Sequence, residues 1–264
     1  MKCLLSFLIL TSAMTASFAS DEQDRALRDK YLYSDKDIDG VENSWNKADV
    51  FVPGNFFTKT PNNVKTDKVY PVVIYLHGCS GITQHDYSWA KYISTLGFIV
   101  VQPDSFARPD RKMMCNPYTQ SVDRNKLPKA LMFRQQEIRY TLEQVKQVSW
   151  SDKNNIFLMG HSEGGVSAAL NPISEFKGII ISSWTCSHSV LGGIHSDKNT
   201  PVLAMSWTND RWFYGRGLGT EGHCIDQAEG RVNFTQLDLQ GKDHFTFQEL
   251  VAREAVKTFL TKGE

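Results

Sequence analysis

The chain has 264 residues, with 29 Lys and Arg against 29 Asp and Glu, and 41% of its residues are hydrophobic. That length suits one large or two small domains, and the apolar fraction is enough for a sizeable core. The balanced charge gives no ground to expect a nucleic-acid or membrane-surface partner.

The chain opens "MKCLLSFLILTSAMTASFAS". Lys2, the apolar run Leu4 to Leu10 and the small-x-small Ser17-Phe18-Ala19 predict a signal peptide over residues 1–19. The apolar run is too short and too rich in Ser and Thr to span a bilayer, so no stable membrane insertion is expected after cleavage. Residues 20–264 are expected to form a single domain, with no linker or repeat to divide them.

Residues 21–47 are polar and charged, with "SDKDIDG" (34–40) as a loop, and "ADVFVP" (48–53) alternates as a strand does. "VYPVVIYLHG" (69–78) is apolar and β-branched, as expected of a strand buried on both faces. "DYSWAKYISTLG" (86–97) places Tyr87, Ala90, Ile93 and Leu96 at helical spacing and stops at Gly97. "FIVVQPD" (98–104) is the next strand, followed by a loop over 105–120. Residues 129–148 carry the clearest helical pattern, with Ile138, Leu142 and Val145 on one face. Strands follow at "NIFLMG", 176–184, 201–207 and 231–238, with a short helix at "GVSAAL" and an amphipathic helix over 247–260. Strands alternating with helices predict an α/β fold, a mostly parallel central sheet flanked by helices on both faces.

Setting Cys3 aside with the signal leaves four cysteines, an even number in a chain expected to meet an oxidising compartment. Three pairings are possible. Placing each pair on loops at one edge of the sheet favours Cys79–Cys115 and Cys186–Cys224.

Active groups in open α/β sheets gather beyond the carboxyl ends of the strands. Four such ends carry His77-Gly78-Cys79-Ser80-Gly81, Gly160-His161-Ser162-Glu163-Gly164-Gly165, Thr208-Asn209-Asp210, and Gly241-Lys242-Asp243-His244. A serine hydroxyl is a weak nucleophile without an adjacent base. Ser162 is therefore the candidate nucleophile, His244 the candidate base, and Asp210 the candidate carboxylate that orients the imidazole. Asp238 and Asp243 remain alternatives for the carboxylate.

The pattern resembles the α/β-hydrolase superfamily, whose members carry G-x-S-x-G at a strand-to-helix turn and a Ser…Asp…His order. "LHGCSG", "PDSF", "GHSEGG" and the late "DH" look like the exported, dienelactone hydrolase-related branch. Dienelactone hydrolases proper use a cysteine where this chain has Ser162, so lactone specificity is not carried over. The resemblance implies an ester hydrolase working through an acyl-enzyme on a small-molecule ester. It implies an oxyanion hole from the backbone N–H groups of Cys79 and Glu163, and no cofactor. An acyltransferase or amidase on the same scaffold, or a binding protein without activity, are the alternatives.

Trp184, Arg211 and Trp212 are candidate pocket residues, the arginine for an anionic substrate group. Asp104, Ser105 and Arg108 sit at another strand end and are read as further lining of the cleft. His77 is read as structural, bonded inside its loop, and His161 as packing. The remaining histidines and cysteines lack metal-ligand spacing, so no metal site is expected. Oligomeric state is not legible.

Overall fold

The computed structural model describes residues 40–188, 191–216 and 219–262. The expected signal segment, residues 1–19, lies outside the described residues. Seven strands form one sheet: β1 (Asp49–Phe51), β2 (Tyr70–Leu76), β3 (Ile99–Gln102), β6 (Ser151–His161), β7 (Gly178–Ser182), β8 (Val202–Trp207) and β9 (Phe234–Leu239). Their order is β1-β3-β2-β6-β7-β8-β9, and every pairing is parallel except β1 with β3.

The apolar strands divide by alternation into two cores, because successive side chains leave opposite faces of a sheet. Val72, Ile74 and Leu76 of β2, with Ile179 and Ile181 of β7, face one cluster. There they meet helix α3 (Leu127–Gln147) through Leu131, Ile138, Leu142 and Val145, and helix α4 (Glu163–Ala169) through Val166. Val73, Tyr75 and Ile180 face the other cluster. There they meet helix α2 (Gln84–Thr95) through Trp89 and Ile93, and helix α5 (Leu250–Thr261) through Ala252, Val256 and Leu260. The helix expected over 86–97 begins two residues earlier because Thr83 caps it, its hydroxyl and backbone N–H both bonding Asp86.

Two elements depart from expectation. Residues Val41–Asn46, in a polar, charged stretch to which no element is assigned, form helix α1, which packs on α3 and buries Ser44 and Trp45. Six residues are too few for a 3.6-residue period to show. The stretch read as loop over 105–120 contains strand β4 (Cys115–Asn116), which pairs with β5 (Ser121–Val122). Its turn is held locally, the Asn116 side chain accepting from the N–H groups of Tyr118 and Thr119.

The four cysteines form two disulfides, Cys79–Cys115 and Cys186–Cys224. The first ties the loop after β2 to the β4–β5 hairpin. The second ties the loop after β7 to the segment ahead of β9. Each closes a long loop, 36 and 38 residues apart in sequence. By loop-closure entropy, replacing both Cys186 and Cys224 by Ser costs about 4 kcal/mol. The expected result is a clear drop in the guanidinium midpoint of the double variant. A midpoint equal to that of the oxidised wild type would show that the bridge adds no stability.

Candidate active site

Strand β6 runs through the middle of the sheet and ends at His161, so Ser162 begins the turn into α4. Its backbone is left-handed, with φ 56° and ψ −116°. A non-glycine residue pays for such a conformation only where the surroundings over-determine it. The surroundings here are backbone. A Cβ at Gly164 would fall inside contact distance of the Leu76 carbonyl, and one at Gly165 would meet the Ser182 carbonyl. A Cβ at Gly160 would run into Gly164. The three glycines let the turn sit directly on the ends of β2 and β7, and the Ser162 N–H bonds the Ser182 carbonyl at 2.9 Å.

The loops after β8 and β9 bring two more groups to this turn. His244 Nε2 lies 2.8 Å from Ser162 Oγ, and His244 Nδ1 lies 2.7 Å from Asp210 Oδ2. Asp210 is fully buried, and Ser162 and His244 are 8% and 4% exposed. The other Asp210 oxygen accepts from the Trp212 N–H at 2.9 Å. Asp238 instead bonds His223, and Asp243 accepts from the His244 and Phe245 N–H groups. The loop carrying His244 is itself anchored: Ser183 Oγ donates to the His244 carbonyl at 2.6 Å, and Trp89 Nε1 donates to Thr246 Oγ1 at 3.2 Å.

Two hollows open on either side of Ser162. One, about 100 Å³, is walled by Met114, Leu127, Val166, Trp184, Trp212 and Phe213. The other, about 70 Å³, is bounded by Thr83, Pro117, His161, His244 and Phe245. Cys79 and Trp212 border both. Of the candidate pocket residues, Trp184 and Trp212 line the larger hollow. Arg211 lines neither; its guanidinium points outward, donating to the Lys242 carbonyl at 3.3 Å and lying 3.8 Å from Asp243. The turn after Asp210 sends Trp212 and Phe213 inward and Arg211 out. Ser105 and Arg108 also miss the hollows, because buried partners hold them behind the turn.

Those partners form an ionic cluster that the sequence reading did not identify. Arg134, fully buried, reaches Glu163 at 2.8 Å and Glu137 at 3.3 Å. Arg111 bonds Glu163 and Ser105, and Ser105 Oγ donates to Glu137 at 2.8 Å. Arg108 lies 3.4 Å from Glu137. One signal was available: Arg134 stands four residues before Ile138, on the stripe that also holds Leu142 and Val145. A charge on an apolar stripe needs buried partners.

The chlorophyllase family model matches residues 31–183. The chain belongs to the chlorophyllase family. No curated protein matches it. Solved structures show the same fold at low identity. Est1E from Butyrivibrio proteoclasticus is 15% identical, with a TM-score of 0.53 over 81% of this chain and 93% of its own. A dienelactone hydrolase-like promiscuous phosphotriesterase from metagenomic libraries is 13% identical, with a TM-score of 0.55 over 78% and 90%. An S-formylglutathione hydrolase from Agrobacterium tumefaciens is 17% identical, with a TM-score of 0.52 over 81% and 88%. This chlorophyllase-family chain thus has the fold of the α/β hydrolases.

Beside His244 lie two further histidines, the ring centroids of His161 and His244 being 5.0 Å apart and those of His85 and His161 4.2 Å apart. Burial, and next the neighbouring His244, push His85 down to about 3. Burial and the adjacent His85 and His244 hold His161 well below the ordinary value. Both rings stay neutral in neutral solution. Unfolded, each would take up a proton below about pH 6.5. The unfolded state then binds more protons than the folded one, so stability falls as pH drops from about 6.5 toward 3. Replacing His85 by Phe should flatten the slope of unfolding free energy against pH, between pH 6 and 4, by up to about 1.4 kcal/mol per pH unit. Urea titrations at several pH values measure this, and an unchanged slope would mean that His85 is charged in the folded state.

Proposed function

We propose that this protein is an exported serine hydrolase that cleaves a carboxylic ester through an acyl-enzyme on Ser162. The observation that carries the reading is the unbroken contact from Asp210 through His244 to Ser162, at 2.7 and 2.8 Å. His244 Nε2 takes the Ser162 proton as Oγ bonds the carbonyl carbon. The tetrahedral oxyanion is stabilised by the N–H groups of Cys79 and Glu163, the latter at the open N-terminus of α4. The imidazolium, steadied by Asp210, returns the proton to the leaving oxygen as the C–O bond breaks. Water then gives its proton to His244 and its oxygen to the acyl carbon, and the acid leaves as Ser162 regains its hydrogen. Every step uses side chains, backbone and water.

The two hollows receive the two halves of the substrate. His244 must protonate the leaving alcohol, so the alcohol lies in the smaller hollow that His244 bounds. The acyl group enters the larger, apolar hollow. About 100 Å³ admits a single ring or a short branched chain. The reading takes residues 20–264 as one hydrolase domain behind a cleaved segment. Export is supported by the two disulfides, which persist in oxidising compartments. No helix among the described residues is long and apolar enough to cross a membrane.

A fluorophosphonate probe should label Ser162, located by peptide mass spectrometry, and short aryl esters should be turned over. Ser162→Ala should lose both; a variant that keeps turnover, or a label elsewhere, would refute the nucleophile. Asp210→Asn should keep the label site but lower kcat on the order of 10⁴-fold, since the imidazole loses its orienting carboxylate. A loss below about tenfold would assign the carboxylate role to another residue.

A further inference from the structure

This inference rests on the serine-hydrolase reading and concerns what aims the oxyanion hole. The Cys79 N–H and the Gly78 carbonyl belong to one trans peptide, so they point in opposite directions. Fixing the carbonyl therefore fixes the direction of the N–H. The peptide borders the nucleophile: a Cβ at Gly78 would lie 3.6 Å from Ser162 Cβ.

The Gly78 carbonyl is held from behind. His77 Nδ1 lies 2.7 Å from it, and Arg134 Nη2 lies 3.4 Å from it. The Ser105 N–H donates to His77 Nε2 at 3.2 Å. That bond, with the Gly78 carbonyl, which can only accept, 2.7 Å from Nδ1, puts the ring proton on Nδ1; Arg134 Nη2 packs against the same nitrogen at 2.9 Å. His77 is fully buried, and burial with the charges of Arg134 and Arg111 holds it neutral, well below its ordinary value. Arg134 also donates to the His77 carbonyl at 2.8 Å and to Glu163 Oε1 at 2.8 Å. Glu163 carries the other N–H of the hole. One guanidinium thus touches the backbone at His77 and Gly78 and the side chain of the residue that carries the other N–H.

We propose that Arg134, acting through His77, is the positioning residue of the oxyanion hole. It sets the direction of the Cys79 N–H and clamps the side chain of Glu163. A cation at the carbonyl end of the 78–79 peptide also polarises that peptide and strengthens its N–H as a donor. Neither residue touches substrate. Their effect is on the transition state, which puts it in kcat rather than KM.

A pair of His77 variants separates this role from simple support. His77→Leu and His77→Asn both remove the acceptor for the Ser105 N–H, so both carry the same structural loss. The asparagine amide nitrogen reaches the place of Nδ1 and can still donate to Gly78, whereas leucine cannot. Rates are normalised to Ser162 titrated with a fluorophosphonate. In His77→Leu, kcat should fall on the order of 10- to 100-fold with KM within about twofold, short of the loss from removing a donor outright. His77→Asn should recover most of that loss. The infrared carbonyl band of the acyl-enzyme should move to higher wavenumber in His77→Leu and stay near the wild-type position in His77→Asn. Equal kcat in the two variants, or an unmoved band, would overturn the proposal. Should His77→Leu fail to fold, Arg134→Lys keeps the charge but cannot span His77 and Glu163 together. It should show the same fall in kcat and the same band shift, and a wild-type kcat there would overturn the proposal. A wild type that neither labels nor turns over esters would refute the hydrolase reading and this inference with it. An active, labelled wild type with an insensitive His77→Leu refutes this inference alone.

Discussion

A single methyl group at position 164 would collide with the carbonyl of Leu76. That contact, backbone against backbone where β6 turns into α4, is the constraint on which the site depends. It brings the turn at Ser162 onto the end of β2, so the loop of Gly78 and Cys79 can stand beside Ser162. It also forces Ser162 into a left-handed conformation that holds its hydroxyl out of the sheet. Without the close approach, the two N–H groups assigned to the oxyanion would not share a target.

The parallel sheet supplies the other coordinates. Each functional loop leaves the same edge, from β2, β6, β8 and β9 in turn. Strand order puts β6 at the centre, so groups arriving from β8 and β9 must reach back across β7. The Asp210 and His244 loops do this, and hydrogen bonds from Ser183 and Trp89 hold the second in place. The disulfides act on the same rim. Cys79–Cys115 pins the hairpin that contributes Met114 and Pro117 to the two hollows. Cys186–Cys224 closes the far wall, behind Trp184. The site is thus built from loops but held by covalent and backbone ties.

Behind the turn sits a fully buried set of charges, Arg108, Arg111 and Arg134 with Glu137 and Glu163. Buried ion pairs are weak evidence for stability, because desolvation offsets much of the attraction. Apolar residues of similar size could fill this space. What they could not do is grip carbonyl oxygens at His77 and Gly78 while holding Glu163. The cluster makes more physical sense as a device of orientation than as a source of folding energy.

The sequence by itself determined the strands of the seven-stranded sheet, the long helices and the turn at Ser162. Alternation, helical period and glycine spacing are local properties, and they survive without knowledge of neighbours. It also singled out His244, the histidine in a polar turn after the last strand, which the fold sets against Ser162. Tertiary structure decided what depends on direction. Asp210, Asp238 and Asp243 are equal as letters, and only the path of the loop after β8 sets Asp210 against the imidazole. Arg211 and Trp212 are adjacent, and only the turn sends one outward and the other into a hollow. Arg134 read as part of an amphipathic helix. Its partners beyond its own helix come from two distant segments, at His77-Gly78 and Glu163, and no pattern within one helix can show which buried carbonyls a guanidinium will meet.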